Sequence, residues 1–75
     1  MDLSKQESYQ EMIKGNKITH WLFSSDEYLY IDNNGIMRDE CGYDWTNTSR
    51  YHTNPWEERS GGNWENGWRI WREEK

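Results

Sequence analysis

The residues of this chain best suited to catalysis are one cysteine, two histidines and two adjacent acidic pairs. Cys41 precedes a glycine and has no histidine near it in the sequence, which indicates an ordinary thiol rather than a nucleophile. The acidic pairs at 26–27 and 39–40 consist of adjacent residues, and adjacent side chains in an extended chain point to opposite faces, so neither pair converges on one site. Cys41, His20 and His52 lack the paired spacing of zinc ligands, and His20 is expected to be a hydrogen-bonded structural residue. The sequence therefore predicts a protein that is not an enzyme, with no metal site and no cofactor.

The sequence is also unusually rich in aromatic side chains, which can bind ligands by stacking. Six Trp, five Tyr and one Phe occur in a chain of 75 residues that is only 32% hydrophobic. A domain of this size buries about 60% of the surface that its unfolded chain exposes, so its core cannot hold all of these rings. Tyr and Trp are enriched in binding surfaces because they offer a large, rigid contact area with a polar tip. The composition therefore favours an exposed aromatic binding surface.

The net charge of −5 restricts the class of partner. Binding to nucleic acid needs a surplus of cations along the phosphates, whereas this chain has 9 Lys and Arg against 14 Asp and Glu. No long apolar run or signal segment is present, so we expect a cytoplasmic protein with neither a nucleic acid nor a membrane as its partner. The acidity is explained either by solubility or by a surface that imitates nucleic acid and occupies a basic groove on another protein.

A short helix is predicted over residues 5–14. Ser4 and Glu7 have the spacing of a capping box, and Gly15 can take the left-handed conformation that ends a helix. The predicted apolar stripe of this helix consists of Tyr9, Met12 and Ile13.

The helix is expected to pack on a small antiparallel sheet of four to five strands, which makes the fold class α+β. The Asn34-Gly35 pair predicts a type I′ hairpin turn. The predicted strands are 17–23, 27–32, 36–40, 43–45 and 64–72. In the first strand, the predicted faces are Ile18, His20 and Leu22 on one side and Thr19, Trp21 and Phe23 on the other. In the second, Leu29 and Ile31 lie opposite Tyr28 and Tyr30.

Residues 46–63 are predicted to form a long loop before the last strand, either functional or disordered, within a single domain that spans 1–75. The lone cysteine excludes an intrachain disulfide, so a core this small lacks the usual covalent support. Bulky residues are also predicted on both faces of the sheet. These two features predict a homo-oligomer.

Four short segments resemble a family of small phage proteins. They are KGNKI at 14–18, EYLYI at 27–31, NGI at 34–36 and GWRIW at 67–71. The family includes Thoeris anti-defence proteins, which act as sponges for cyclic ADP-ribose signals, and a related anti-CRISPR. The resemblance implies a phage or mobile-element counter-defence protein that works by stoichiometric binding.

Two versions of that activity follow from the resemblance. In the first, a homo-oligomer sequesters a nucleotide-derived immune signal, such as a cyclic nucleotide or an ADP-ribose derivative. The ligand-binding residues expected for it are Trp21, Phe23, Tyr28, Tyr30, Arg38, Arg50, Trp56, Trp68 and Arg69. In the second, an acidic, aromatic surface that includes Asp39, Glu40, Glu57 and Glu58 blocks a host defence protein in the manner of an anti-CRISPR. Sugar binding is a third class, since exposed Trp and Tyr also stack on pyranose rings.

Overall fold

A computed structural model describes residues 2–46 and 54–73 of the chain. One helix, α1 (Lys5–Ile13), packs on a four-stranded antiparallel sheet, and this arrangement confirms the predicted α+β class. The strands are β1 (Ile18–His20), β2 (Leu29–Ile31), β3 (Met37–Asp39) and β4 (Trp68–Ile70), in the spatial order β3-β2-β1-β4. A short helix α2 (Pro55–Glu58) and a 3₁₀ turn (Gly62–Trp64) lie between β3 and β4 in the chain.

Helix α1 begins at the predicted capping box. The hydroxyl of Ser4 accepts a hydrogen bond from the backbone N–H of Glu7 at 3.1 Å, and the Glu7 carboxylate accepts one from the Ser4 N–H at 2.9 Å. Two of the four backbone groups left open at a helix start are thereby satisfied. Gly15 follows the helix with φ of 101°, as predicted for its end.

The buried side of α1 differs from the predicted stripe. Met12 is buried, but Tyr9 and Ile13 are 40% and 57% exposed, so these two assignments were wrong. Ser8 takes the buried position one turn before Met12. Its hydroxyl donates to the Lys5 carbonyl at 2.6 Å, and this internal bond allows a polar side chain to lie against the sheet.

The core lies between α1 and one face of the sheet. Its fully buried apolar members are Met12, Ile18, Leu29, Met37 and Trp68. Trp56 of α2 and Trp64 of the 3₁₀ turn pack against this cluster, so all three helical elements lie on the same side of the sheet.

Strand β1 ends three residues earlier than predicted because His20 starts a turn. Its carbonyl accepts from the Phe23 N–H at 2.9 Å, and its Nδ1 accepts from the Leu22 N–H at 3.0 Å. Alternation of side chains stops where the strand stops. The predicted faces of the last two residues were therefore wrong: Leu22 is 45% exposed, and Phe23 packs against the core.

The β2–β3 turn is not type I′, because only Gly35 in it has a positive φ, of 79°. The Asp32 carboxylate accepts from the N–H groups of Asn34 and Ile36, each at 2.9 Å, and the Gly35 N–H donates to the Asp32 carbonyl at 3.0 Å. An aspartate that bonds its own turn in this way removes the need for a left-handed Asn34.

Both edges of the sheet are partly covered by other chain segments. At β4, Leu3 exchanges two backbone hydrogen bonds with Trp68, at 2.7 and 3.2 Å. At β3, the Trp45 N–H donates to the Met37 carbonyl at 2.8 Å. The predicted strand at 43–45 is only an isolated bridge on β3, and not a strand of the sheet.

The predicted loop 46–63 contains helical structure. The side chain of Asn54 caps α2 by accepting from the Glu57 N–H at 2.7 Å, and Pro55 occupies the first helical position, where its missing N–H costs nothing. The final strand starts at Trp68 and not at Trp64, because Gly67 redirects the chain with φ of 89°. Residues 47–53 lie outside the described part. Across 2–46 and 54–73, no helix has the length and apolar character required to cross a membrane.

Candidate ligand-binding face

The side of the sheet turned away from α1 carries a mixture of rings and cations. Because side chains alternate along a strand, the residues that flank the buried core positions project to this side. We call this surface the outer face; its residues are Lys17, Thr19, Tyr28, Tyr30, Arg38, Arg69 and Trp71.

Three rings of the outer face form one cluster. The centroids of Tyr28 and Trp71 are 4.6 Å apart at an interplanar angle of 42°, and those of Tyr28 and Tyr30 are 6.1 Å apart. Trp71 is fixed by two hydrogen bonds, from its indole N–H to the Ser25 carbonyl at 2.9 Å and from its backbone N–H to the Lys17 carbonyl at 2.8 Å. All three rings are half-buried, so each keeps part of its surface open for stacking.

The cations of the outer face differ in how they are held. Arg38 is committed to the β2–β3 turn, since its Nε donates to the Asp32 carboxylate at 2.6 Å and its Nη1 to the Gly42 carbonyl at 2.8 Å. This guanidinium, together with backbone N–H groups of the turn, holds the pKa of Asp32 below its ordinary value. Arg69 is exposed and pairs in register with Thr19, and its guanidinium has no bonded partner among the residues that the structure describes. Arg69 is therefore a cation of the outer face that a ligand can bind.

An open cleft of roughly 620 Å³ adjoins the ring cluster. Its volume lies within the range of about 300–1,000 Å³ that is usual for small-molecule sites. Two arginines, Arg69 and Arg72, and two carboxylates, Asp26 and Glu73, share its walls. The remaining lining residues are Thr19, Ser25, Ile70 and Trp71.

Three residues predicted to bind ligand belong to the core side of the sheet. Trp68 is 0% exposed. Phe23 meets it edge to face, with centroids 5.8 Å apart at 87°, and Trp56 lies 5.2 Å from it. The structure thus separates these rings from the outer face, which keeps Tyr28, Tyr30, Arg38 and Arg69 of the predicted set.

Trp21 stands apart from both groups, at the end of β1. Its ring is 56% exposed and covers Gly67, where an added Cβ would lie 2.2 Å from Trp21 Cδ1. The last member of the predicted set, Arg50, lies outside the described residues.

His20 has the structural role that the sequence predicted. The imidazole is 1% exposed, and its Nε2 lies 2.9 Å from the Asn63 carbonyl and 2.8 Å from the Asn66 carbonyl. Because its Nδ1 accepts from Leu22, the proton must be on Nε2, which donates to these two carbonyls. The ring therefore ties β1 to the segment that leads into β4.

The acidic residues of the alternative surface are held differently from one another. Asp39 is structural, since its oxygens accept from the N–H groups of Cys41 and Tyr43 and from the Trp45 indole, at 2.9, 3.1 and 3.0 Å. Glu40 accepts from the Cys41 thiol at 3.3 Å and raises the pKa of that thiol. Glu57 and Glu58 are exposed on α2.

A metal ion would find its ligands most readily at this same turn. The ligand atoms of Asp39, Glu40 and Cys41 lie within 4.8 Å of one another, and no second group of this kind occurs in the described ranges. Hydrogen bonding within the turn already accounts for all three groups.

The predicted ligand-binding set lacks three residues of the outer face, Lys17, Thr19 and Trp71, of which Lys17 and Trp71 belong to the cluster of rings and cation. The signal for both was present, because Trp71 alternates with Ile70 after Arg69, and Lys17 precedes the buried Ile18 in a predicted strand. No protein-family model, curated protein or solved structure matches this chain. The outer face is therefore the main source of functional inference.

Proposed function

We propose that this chain binds a small anionic ligand of the nucleotide class on its outer face without altering it chemically. One observation carries the proposal: Tyr28, Tyr30 and Trp71 share one side of the sheet with Arg69, whose guanidinium is not bonded to any described residue. Aromatic rings stack on a base, and a free guanidinium binds phosphate through two parallel hydrogen bonds. A nucleotide combines both chemical requirements in one molecule.

The charges around the cleft favour a compact ligand over a nucleic acid strand. Arg69 and Arg72 supply cations, but Asp26 and Glu73 stand beside them, and the chain carries a net charge of −5. A strand requires a continuous basic track, whereas one nucleotide needs only one or two arginines.

The placement of the most reactive side chains supports binding rather than catalysis. His20 is buried and uses both ring nitrogens in structural hydrogen bonds. The raised pKa of Cys41, caused mainly by its hydrogen bond to Glu40, disfavours the thiolate that a nucleophile needs.

The biological role that we propose is counter-defence in the cytoplasm of a host cell, through stoichiometric sequestration of a nucleotide-derived immune signal. The resemblance to the phage family that contains Thoeris sponges supports this role. Three of the four resembling segments contribute to the outer face, through Lys17, through Tyr28 with Tyr30, and through Arg69 with Trp71.

Calorimetric titration with AMP, a cyclic dinucleotide, ADP-ribose and cyclic ADP-ribose tests the proposal. We expect at least one of them to bind, and Arg69→Ala to weaken it by roughly 10- to 150-fold, the equivalent of a charged hydrogen bond worth about 1.5–3 kcal/mol. Lys14→Ala is the matched control, because Lys14 is paired with Glu11 on α1 at 3.0 Å and should not affect binding.

The competing hypothesis, a blocker of a defence protein, predicts the opposite pattern. Charge reversal at Glu40, Glu57 and Glu58 would then abolish a stable complex with a basic partner, and no nucleotide would bind. Asp39 is unsuitable for this comparison, since its carboxylate holds the turn after β3. If no nucleotide binds in any titration and such a complex forms, the nucleotide proposal is ruled out.

A further inference from the structure

An ammonium group of the chain itself occupies the ring cluster of the outer face. The Lys17 Nζ lies 4.7 Å from the Tyr28 centroid and 5.4 Å from the Trp71 centroid. These rings are tilted by 42° to one another, and the same cation lies over both of them. Two or three rings around a cation within about 6 Å form the arrangement with which proteins bind quaternary ammonium ligands.

Lys17 is held in this position by a backbone hydrogen bond just before β1. Its carbonyl accepts from the Trp71 backbone N–H at 2.8 Å, which aligns the two residues across β1 and β4. The ion pairs of the described residues involve Lys14 and Arg38, and none involves Lys17. The rings are therefore the recorded partners of this ammonium group.

We infer that Lys17 is the specificity-determining residue of the outer face. Its ammonium fills the position that an organic cation would take, and so excludes such cations from the rings. The same charge lies beside the stacking surface, where it attracts anionic ligands. The claim that Lys17 attracts anionic ligands is the anionic half of this inference, and it rests on the proposed function. The claim that Lys17 excludes organic cations is the cationic half, and it does not, since it concerns only Lys17 and the two rings.

The position of the Lys17 side chain over the rings can be observed directly in the unmodified protein. Protons above an aromatic ring experience a ring current, so the ε-methylene protons of Lys17 should resonate upfield of those of Lys14, which is 67% exposed. Equal shifts for the two lysines would overturn the inference, and this result does not depend on any variant folding.

The decisive comparison uses Lys17→Met, which removes the charge and leaves a flexible, uncharged side chain that a cation can displace from the rings. Lys14→Met is the matched control. The probe is tetramethylammonium chloride, followed through the indole N–H signal of Trp71, which donates to the Ser25 carbonyl and lies in the cluster. We expect Lys17→Met to bind tetramethylammonium about 10-fold more tightly than the wild-type chain, in line with a cation–ring contact.

The outcomes separate this inference from the proposed function. Equal tetramethylammonium binding by wild type and Lys17→Met, or none by either, overturns the cationic half. If a nucleotide binds the wild type, Lys17→Met should weaken it by about 10-fold, and an unchanged affinity overturns the anionic half. If no nucleotide binds the wild type, the proposed function fails. The tetramethylammonium result still decides whether Lys17 excludes organic cations from the rings. Lys17→Gln provides the same comparison if Lys17→Met does not fold.

Discussion

Trp56 packs on three sides against described parts of the chain. Its ring lies 5.2 Å from Trp68 and 6.4 Å from Tyr9, and the Lys5 ammonium lies 4.5 Å from its centroid while donating to its carbonyl at 2.6 Å. The exposed surface that this ring retains borders a smaller groove beside α1. Trp56 is therefore a structural contact between α2, α1 and β4.

We expect Trp56→Ala to lower the free energy of unfolding by about 2–3 kcal/mol, somewhat less than the ~3–5 kcal/mol of a fully buried ring. Trp21→Ala is the matched comparison, since its ring is 56% exposed and its loss should cost under ~1 kcal/mol. Urea unfolding of both variants measures the difference. Equal midpoints would contradict the position assigned to Trp56.

At the level of single residues, alternation within the second strand predicted a shared face for Tyr28 and Tyr30, and the structure places both on the outer face. In the first strand, alternation misplaced Phe23 because His20 bends the chain before the alternation reaches that residue. The role of Trp56 was not predictable in this way, because it depends on contacts with Lys5 and Trp68 that are distant in the sequence.

The turn that leads into β4 depends on Gly67 in two ways. Its φ is 89°, which L-residues rarely adopt, and a Cβ there would lie 2.2 Å from Trp21 Cδ1. Gly61 has a similar φ of 77° but open space around it, so Gly61→Ala carries backbone strain alone.

We therefore expect Gly67→Ala to destabilise the fold by more than Gly61→Ala, which should cost about 1–3 kcal/mol because its φ of 77° and ψ of 162° lie in a region that essentially only glycine adopts. The additional loss of stability in Gly67→Ala reflects the displacement of the Trp21 ring by the new Cβ. Thermal unfolding of both variants gives the comparison, and Gly67→Ala with Trp21→Ala in one chain should recover most of that additional loss. An equal loss in the two single variants would show that Trp21 does not cover Gly67.

Elements with local signals were predictable from the sequence. Ser4 and Glu7 determine where α1 begins, and Asn54-Pro55 is an equally local start signal for α2 that was overlooked among loop-forming residues. The β2–β3 turn was mispredicted because the Asp32 side chain, rather than the Asn34-Gly35 pair, decides its backbone conformation.

For the whole molecule, the covered edges limit how copies of the chain can associate. Leu3 occupies part of the β4 edge, and Trp45 and Tyr43 occupy part of the β3 edge, which disfavours growth by strand addition. Contact between copies is then expected through a face of the sheet. The outer face, with three half-buried rings, is the aromatic surface best suited to it, and a ligand bound there would then lie between copies of the chain.

We expect the chain to sediment as a dimer or larger assembly at low micromolar concentration, because a core this small gains stability from association. Trp71→Asp should shift the assembly towards monomer, whereas Tyr43→Asp, at a side chain that is 71% exposed, should not. A stable wild-type monomer at that concentration would contradict this expectation.

The position of Trp68 in the core also determines when the nascent chain can complete its folding. Met12, Ile18, Leu29 and Met37 all precede it, yet their packing is complete only when this ring arrives. At a translation rate of ~5–20 residues per second, the interval between Met12 and Trp68 is about 3–11 s. Until Trp68 has been added, the nascent chain cannot complete the packing of these apolar side chains, so folding should follow synthesis rather than accompany it.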